Sequence, residues 1–240
     1  MDRCQSITRL PDLCAPNLET LNITCCENLI EIHDSIGLLD KLECLFISNC
    51  MKLQILPSTL NLKLNKCFNL WNCPRLEKFP NVHPEMKCLE GVVVEYCNIR
   101  EWPLSLRYLT EGIISLEIQK REKPIKNGIH ILPKSFGNPL LRCYGESVID
   151  LDFCMKNDFF PALRYITIKD SNIVSIPEGI FRLSRLKEVY IRNCKELREI
   201  QIPRLTQSIR EVIILKCPSL LPKSSSRLLN QVRSLSLIIK

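Results

Sequence analysis

The sequence predicts an α/β repeat solenoid: a curved horseshoe with a parallel sheet on its concave face and an irregular or short-helical convex side. Three observations predict it. A template L-x-x-L-x-L-x-x-C-x-x-L-x-x-L-P recurs every 23–24 residues, with Leu and Ile exchanging freely. Leu and Ile supply 65 of the 240 residues, enough for a continuous core, while charged residues at 25% argue against disorder. Gly supplies only 7 residues, which argues against phosphate loops and tight-turn sandwiches that need φ > 0 at fixed places. Charged residues interrupt every apolar stretch before it could span a membrane, and MDRCQSITRLPDLC lacks the apolar region of a secretory signal.

The coils follow in order. Cys4, Ile7, Leu10 and Pro11 reproduce the second half of a repeat, so the chain is expected to begin inside a coil. LETLNITCCENLIEI starts at Leu18 and LECLFISNCMKLQILP at Leu42, 24 residues later. Phe68, Leu70, Cys73, Leu76, Phe79 and Pro80 repeat the template, and Val92, Val94, Cys97, Ile99, Trp102 and Pro103 follow one residue short. Ile113, Leu116 and Ile118 make a fifth strand motif. Residues 119–147 keep only a fragment in Ile131, Leu132 and Pro133, after which Ile149, Leu151 and Cys154 resume the pattern. Ile166 and Ile168, then Val189 and Ile191, then Val212 and Ile214 close the series.

Strands are therefore expected near 21–23, 45–47, 68–70, 92–94, 116–118, 149–151, 166–168, 189–191 and 212–214. Apolar residues at i and i+2 lie on one face of a strand, and one coil cannot bury that face alone. Stacked coils can, with parallel strands about 4.8 Å apart. Pro at the end of the second half lacks an N–H and suits a return segment better than a ladder. The organisation expected is repeats over 1–118, an irregular repeat or insertion over 119–147, repeats over 148–220, and a basic Ser/Lys-rich tail or cap over 221–240. The irregular block is expected to be the weakest coil, a tolerated insertion or a hinge between two blocks.

This is the leucine-rich-repeat period. At the position after the strand, usually Asn in such solenoids, this chain has Cys26, Cys50, Cys73, Cys97, Cys154, Cys194 and Cys217. A buried thiol is a small hydrophobe with a weak donor and fits that inner corner. Stacked Cβ vectors run parallel, which disfavours bridging, so reduced structural thiols are expected.

The C-x-x-L-x-x-L/F-P half-repeat with short strands resembles the repeat region of plant intracellular nucleotide-binding leucine-rich-repeat immune receptors. The segments SNIVSIPEGI, NCKELREI and KCPSLLPKSSSRLLNQ look like the final repeats of the class with an N-terminal TIR domain. The resemblance implies recognition of pathogen effectors and restraint of the receptor until it is triggered. It also implies a protein partner (an effector, a guarded host protein or the receptor's own nucleotide-binding domain) and a cytoplasmic location, with the nucleus as the alternative. No G-x-x-x-x-G-K-[ST] occurs in the sequence, so the chain is expected to be a fragment or truncated paralogue without nucleotide chemistry. The other class kept open is a generic leucine-rich adaptor that meets acidic partners or nucleic acid through its basic end.

No catalysis, cofactor or metal is expected. His33, His83 and His130 stand far apart without ligand-spaced partners, and no G-x-S-x-G or H-E-x-x-H occurs. Neither a membrane nor nucleic acid is the expected partner. Residues 181–240 hold 13 Lys or Arg against 4 Asp or Glu, a basic quarter on a nearly neutral body.

The expected binding surface is the outward face of the strands, whose residues form columns along the concave side. Phe46, Trp71 and Tyr96 lie on successive coils; Phe153, Lys169, Tyr190, Arg192 and Lys216 continue the columns. Aromatics and Arg are the residues protein interfaces concentrate, and these eight are the candidate protein-binding residues.

Overall fold

The computed structural model describes residues 1–63, 66–86, 91–110, 115–119, 140–145, 151, 159–201, 209–221 and 234–238. Ten strands make one parallel sheet: β1 (Thr20–Thr24), β2 (Cys44–Ser48), β3 (Cys67–Trp71), β4 (Gly91–Cys97), β5 (Ser115–Gln119), β6 (Leu140–Gly145), β7 (Tyr165–Lys169), β8 (Glu188–Arg192), β9 (Glu211–Leu215) and β10 (Ser234–Ile238). Eight of the nine expected strands are present, each one or a few residues longer than its motif.

Register follows the repeat. Leu21 pairs with Leu45, Leu45 with Phe68, and Phe68 with Val92. Downstream, Ile166 pairs with Val189 and Val189 with Val212. These residues and their i+2 partners are buried, most of them completely, each contributing roughly 1.5–3 kcal/mol of apolar burial. Because every coil supplies the same positions, the core is one continuous stack. Phe68 meets Phe79 edge-on at 5.5 Å, and Phe79 stacks on Trp102 at 5.1 Å, carrying the stack into the second half of the coils.

The return side is short and irregular, as the Pro positions predict. Two-residue strands pair there: Arg9–Leu10 with Glu31–Ile32, Thr59–Leu60 with Asn81–Val82, and Ser175–Ile176 with Glu199–Ile200. The helical pieces are single turns at Asp34–Leu38, Leu104–Leu106 running into Arg107–Thr110, and Glu178–Phe181. Pro103 and Pro177 precede two of them with extended backbone, the conformation their rings pre-set.

Three features differ from expectation. Of the strand expected at 149–151 only Leu151 is among the described residues, and it is helical rather than extended and buried in the core. The strand of that region is β6, inside the segment expected to be irregular. Its register matches Leu141 with Val92 and Leu116, and Cys143 with Val94 and Ile118. A Cys at the i+2 register position, where the template has an aliphatic residue, is what hid it.

The second difference is order. The sheet runs β1-β2-β3-β4-β6-β5-β7-β8-β9-β10, so β6 occupies the slot between β4 and β5 rather than following β5. The sheet passes through this region without a break. The third is the tail, which carries β10 in register with β9, Leu235 beside Val212 and Leu237 beside Ile214. The last coil therefore extends beyond residue 220. Residues 120–139, 146 and 147, and Cys154 with the residues around it, lie outside the described residues.

Candidate concave recognition face

Each strand ends at a corner, and the corner has one chemistry. Cys25, Asn49, Asn72, Tyr96, Asp170, Asn193 and Lys216 all carry φ between 48° and 55°, the left-handed region that Asn and Asp tolerate best. Their amides prolong the ladder: Asn49 N–H donates to the Trp71 carbonyl at 2.9 Å, Asn72 to Glu95 at 2.8 Å, Asp170 to Arg192 at 2.9 Å and Asn193 to Leu215 at 2.9 Å. The chain then turns inward, and the next residue is the repeat cysteine in five of these corners and the preceding Cys25–Cys26 pair in a sixth.

Cys26, Cys50, Cys73, Cys97, Cys194 and Cys217 are all fully or almost fully buried. Each Sγ donates back to a strand carbonyl at 3.5–3.6 Å, Cys73 to Trp71 and Cys194 to Arg192 among them. Cys4, Cys14, Cys25, Cys26, Cys44, Cys50, Cys67, Cys73, Cys97, Cys194 and Cys217 are all free thiols. Contact between facing thiols and burial favour the neutral form at most of these positions; Cys217 is the exception, lowered to about 7 by its contact with Cys194. The contact with Cys73 and then burial push Cys50 up; the contact with Cys217 and then burial push Cys194 up. Burial raises Cys26. Cys73 is raised well above the ordinary value: Cys50 pulls it down, and Cys97 with complete burial overrides that pull.

The candidate binding residues divide into two groups. At the first, Phe46 is half-buried, while Trp71 is 6% and Tyr96 9% exposed. Trp71 and Tyr96 meet edge-to-face at 6.2 Å. Beside them Asn69 and Glu95 are buried as well, and neither the Asn69 Oδ1 nor the Tyr96 hydroxyl has a hydrogen-bond partner. The aromatic run expected as open surface is thus closed at its centre, which position in a column cannot reveal.

The second group is open. Lys169 and Tyr190 are half-buried, and Arg192 and Lys216 are exposed. Lys169 Nζ lies 5.6 Å above the Tyr190 ring, a cation–π contact. Register places Tyr190 between Thr167 and Ile213, and Arg192 between Lys169 and Leu215. At the corner Asn193 Nδ2 donates to Asp170 Oδ1 at 2.6 Å, which fixes the edge of this surface. Phe153 lies outside the described residues. The left-handed role of the strand-end residues Asn49, Asn72 and Asn193 does not follow from the periodicity, although the recurring Asn-Cys of SNC, WNC and RNC signals it.

No cluster of three or more His, Cys, Asp or Glu suited to a metal occurs among the described residues. An open cleft of about 530 Å³ lies on the return side at Leu13, Pro16 and Leu38. The charged groups at its rim are engaged in surface contacts, Lys41 with Asn17 at 2.7 Å and Asp40 with Lys63 at 3.3 Å. No helix among the described residues is long and apolar enough to cross a membrane.

Parallel strands, buried i/i+2 pairs and a repeated corner define the class: a leucine-rich-repeat solenoid. The curated proteins it resembles are plant disease resistance proteins of the TIR-type nucleotide-binding leucine-rich-repeat class, over most of this chain. TMV resistance protein N of Nicotiana glutinosa is 26% identical over 86% of this chain and 18% of its own length. Disease resistance protein RPP4 of Arabidopsis thaliana is 31% identical over 80% of this chain and 16% of its own length. Disease resistance protein RPP2A of the same plant is 35% identical over 45% of this chain and 8% of its own. The chain thus spans less than a fifth of these relatives. No family model matches. Among solved structures, an internalin of Listeria monocytogenes aligns over 92% of this chain and 74% of its own at 14% identity, with a TM-score of 0.36.

Proposed function

We propose that this chain is the protein-recognition module of a plant intracellular immune receptor, acting in effector recognition and in restraint of the receptor's signalling domains. The observation that supports it is the open surface on β7 to β9, where Tyr190 is flanked by Lys169 and Arg192 on a rigid parallel sheet. Rigid aromatic and Arg anchors are what interfaces concentrate. The kinship with TMV resistance protein N and RPP4 supports the setting. The reading is of a binding surface, with no catalytic step assigned to it.

The test is co-expression in leaf tissue of this chain with a TIR–nucleotide-binding fragment from one of these relatives that triggers cell death by itself. Co-precipitation and reduced cell death are expected, both lost in Tyr190→Ala/Arg192→Glu and retained in Arg182→Glu on the return side. No contact, no restraint and no effect of the concave variants would overturn the reading.

A further inference from the structure

Two cysteines outside the inner corner are brought together by register alone. Cys44 opens β2 and Cys67 opens β3, and the parallel pairing sets one directly beside the other. Along β2 burial alternates: Leu45 and Ile47 are in the core, while Cys44, Phe46 and Ser48 are half-buried on the outer face. Cys67 is half-buried as well, and both are free thiols. Ligand motifs usually place their residues within a few positions of one another. A pair 23 residues apart in the chain shows itself only in the sheet.

The separation of the two coils is fixed at this point. One residue before the thiols, Lys66 Nζ and Glu43 Oε2 form an ion pair at 2.9 Å. The Glu43 carbonyl accepts from the Lys66 and Cys67 amides at 2.7 and 3.2 Å. Side chains at one register of a parallel pair point the same way and keep the strand spacing of about 4.8 Å. That exceeds the Cβ separation of about 3.8 Å that a disulfide needs. A linear sulfur–metal–sulfur unit fits it: with metal–thiolate bonds of about 2.3 Å it spans about 4.6 Å. The flanking strands set Thr20 beside Cys44 and Gly91 beside Cys67, so the thiols come as a pair with no third sulfur in line. Zinc asks for four ligands, and the described residues offer no cluster of three.

We propose that Cys44 and Cys67 form a two-coordinate site for a soft monovalent metal ion, copper(I), on the outer face of the sheet. Thiolates are the ligands that select this ion. Both thiols release their protons to solvent as the two Cu–S bonds form; copper stays monovalent and no electron is transferred. The complex carries one net negative charge, which a half-buried position leaves in contact with water. Cys50 and Cys73, buried completely in the inner corner, deny a charged complex that solvation. The site lies apart from the recognition surface on β7 to β9 and does not depend on it.

The experiment uses the whole chain, reduced and kept free of oxygen, with Cu(I) supplied from a coloured chelator that reports the metal it loses. The tightest-held equivalent should sit between two sulfurs in a linear arrangement, read by X-ray absorption. Cys44→Ser and Cys67→Ser should each weaken it by about a hundredfold or more, because one thiol alone loses the gain of simultaneous engagement. Cys14→Ser/Cys25→Ser, at an exposed and a half-buried thiol elsewhere, should leave it unchanged. Zn(II) offered in the same way should not be retained. Maleimide labelling read site by site in a mass spectrometer needs no variant: Cu(I) should protect Cys44 and Cys67 together and leave Cys14 reactive. Copper held equally well by the two Ser variants, labelling of the pair unchanged by Cu(I), a three-sulfur environment, or Zn(II) bound as tightly overturns the proposal.

Discussion

Asn72 Nδ2 donates to Asn49 Oδ1 across 2.7 Å, joining two coils at the point where both residues hold the left-handed backbone that ends their strands. Asn193 and Asp170 repeat the contact two coils from the far end of the sheet, at 2.6 Å. The corner is therefore a ladder of its own. Side-chain amides and carbonyls tie neighbouring coils on the outside of the turn, and cysteine thiols fill the inside.

Lys216, like Cys25 and Tyr96, departs from the Asn or Asp of the other corners, and its replacement is the first prediction. Lys216→Asn should stabilise the chain by roughly 0.5–1 kcal/mol, because Asn relieves the left-handed cost and extends the Asp170–Asn193 contact by one coil. Urea unfolding of the two proteins checks it. A destabilised variant would show that the corner is not governed by backbone preference.

Cys73 is completely buried, so Cys73→Ser, which puts a hydroxyl among apolar neighbours, should lose roughly 1–3 kcal/mol. The thiols also carry a pH signature. Cys26, Cys50, Cys73 and Cys194 are raised in the folded chain. A raised folded value means that the stabilisation is complete below the unfolded thiol pKa of about 8.5 and is lost as pH rises above it. Cys217 runs the other way, its thiol lowered to about 7 by its contact with Cys194, so the raised set is read by difference: above the unfolded thiol pKa, stability should fall less steeply with pH in Cys50→Ser/Cys73→Ser than in the parent. Equal slopes would refute the assignment.

Gly37 lies in the turn Asp34–Leu38, where an added Cβ would strike the Thr59 carbonyl oxygen of the next coil and come within 3.1 Å of the Pro57 Cβ. The neighbour is backbone and cannot swing away. Gly37→Ala should lose roughly 1–3 kcal/mol by forcing the two coils apart. A thermal midpoint equal to that of the parent would show that the coils slide at no cost.

Thiol labelling should follow exposure. Cys14 is exposed, and Cys44 and Cys67 are half-buried; these should react with a maleimide well before Cys50 and Cys73, whose alkylation requires the coil to open. Mass spectrometry of a labelling time course reads the order directly. Early labelling of Cys73 would mean that the stack is loose at its centre.

Most of this architecture is legible in the chain because it is periodic. Leu45 and Ile47, then Phe68 and Leu70, recur at the same offsets, and a strand whose inner pair is apolar has one way to bury it. Cys50 and Cys73 are legible for the same reason: one position, one environment. What escapes is whatever depends on a neighbour distant in the chain. Cys143 takes the register of Val94 and Ile118 on β6, and no local spacing says that this strand inserts between β4 and β5. Trp71 and Tyr96 read like open binding aromatics, yet both are buried, while Tyr190 is half-buried and Arg192 exposed on the same outer face further along the sheet. Period and side-chain alternation are properties of the backbone and were set by the sequence alone. Order within the sheet, and which part of its outer face stays open, were decided only when the coils stacked, because the free energy of burying a surface belongs to both of the segments that meet there.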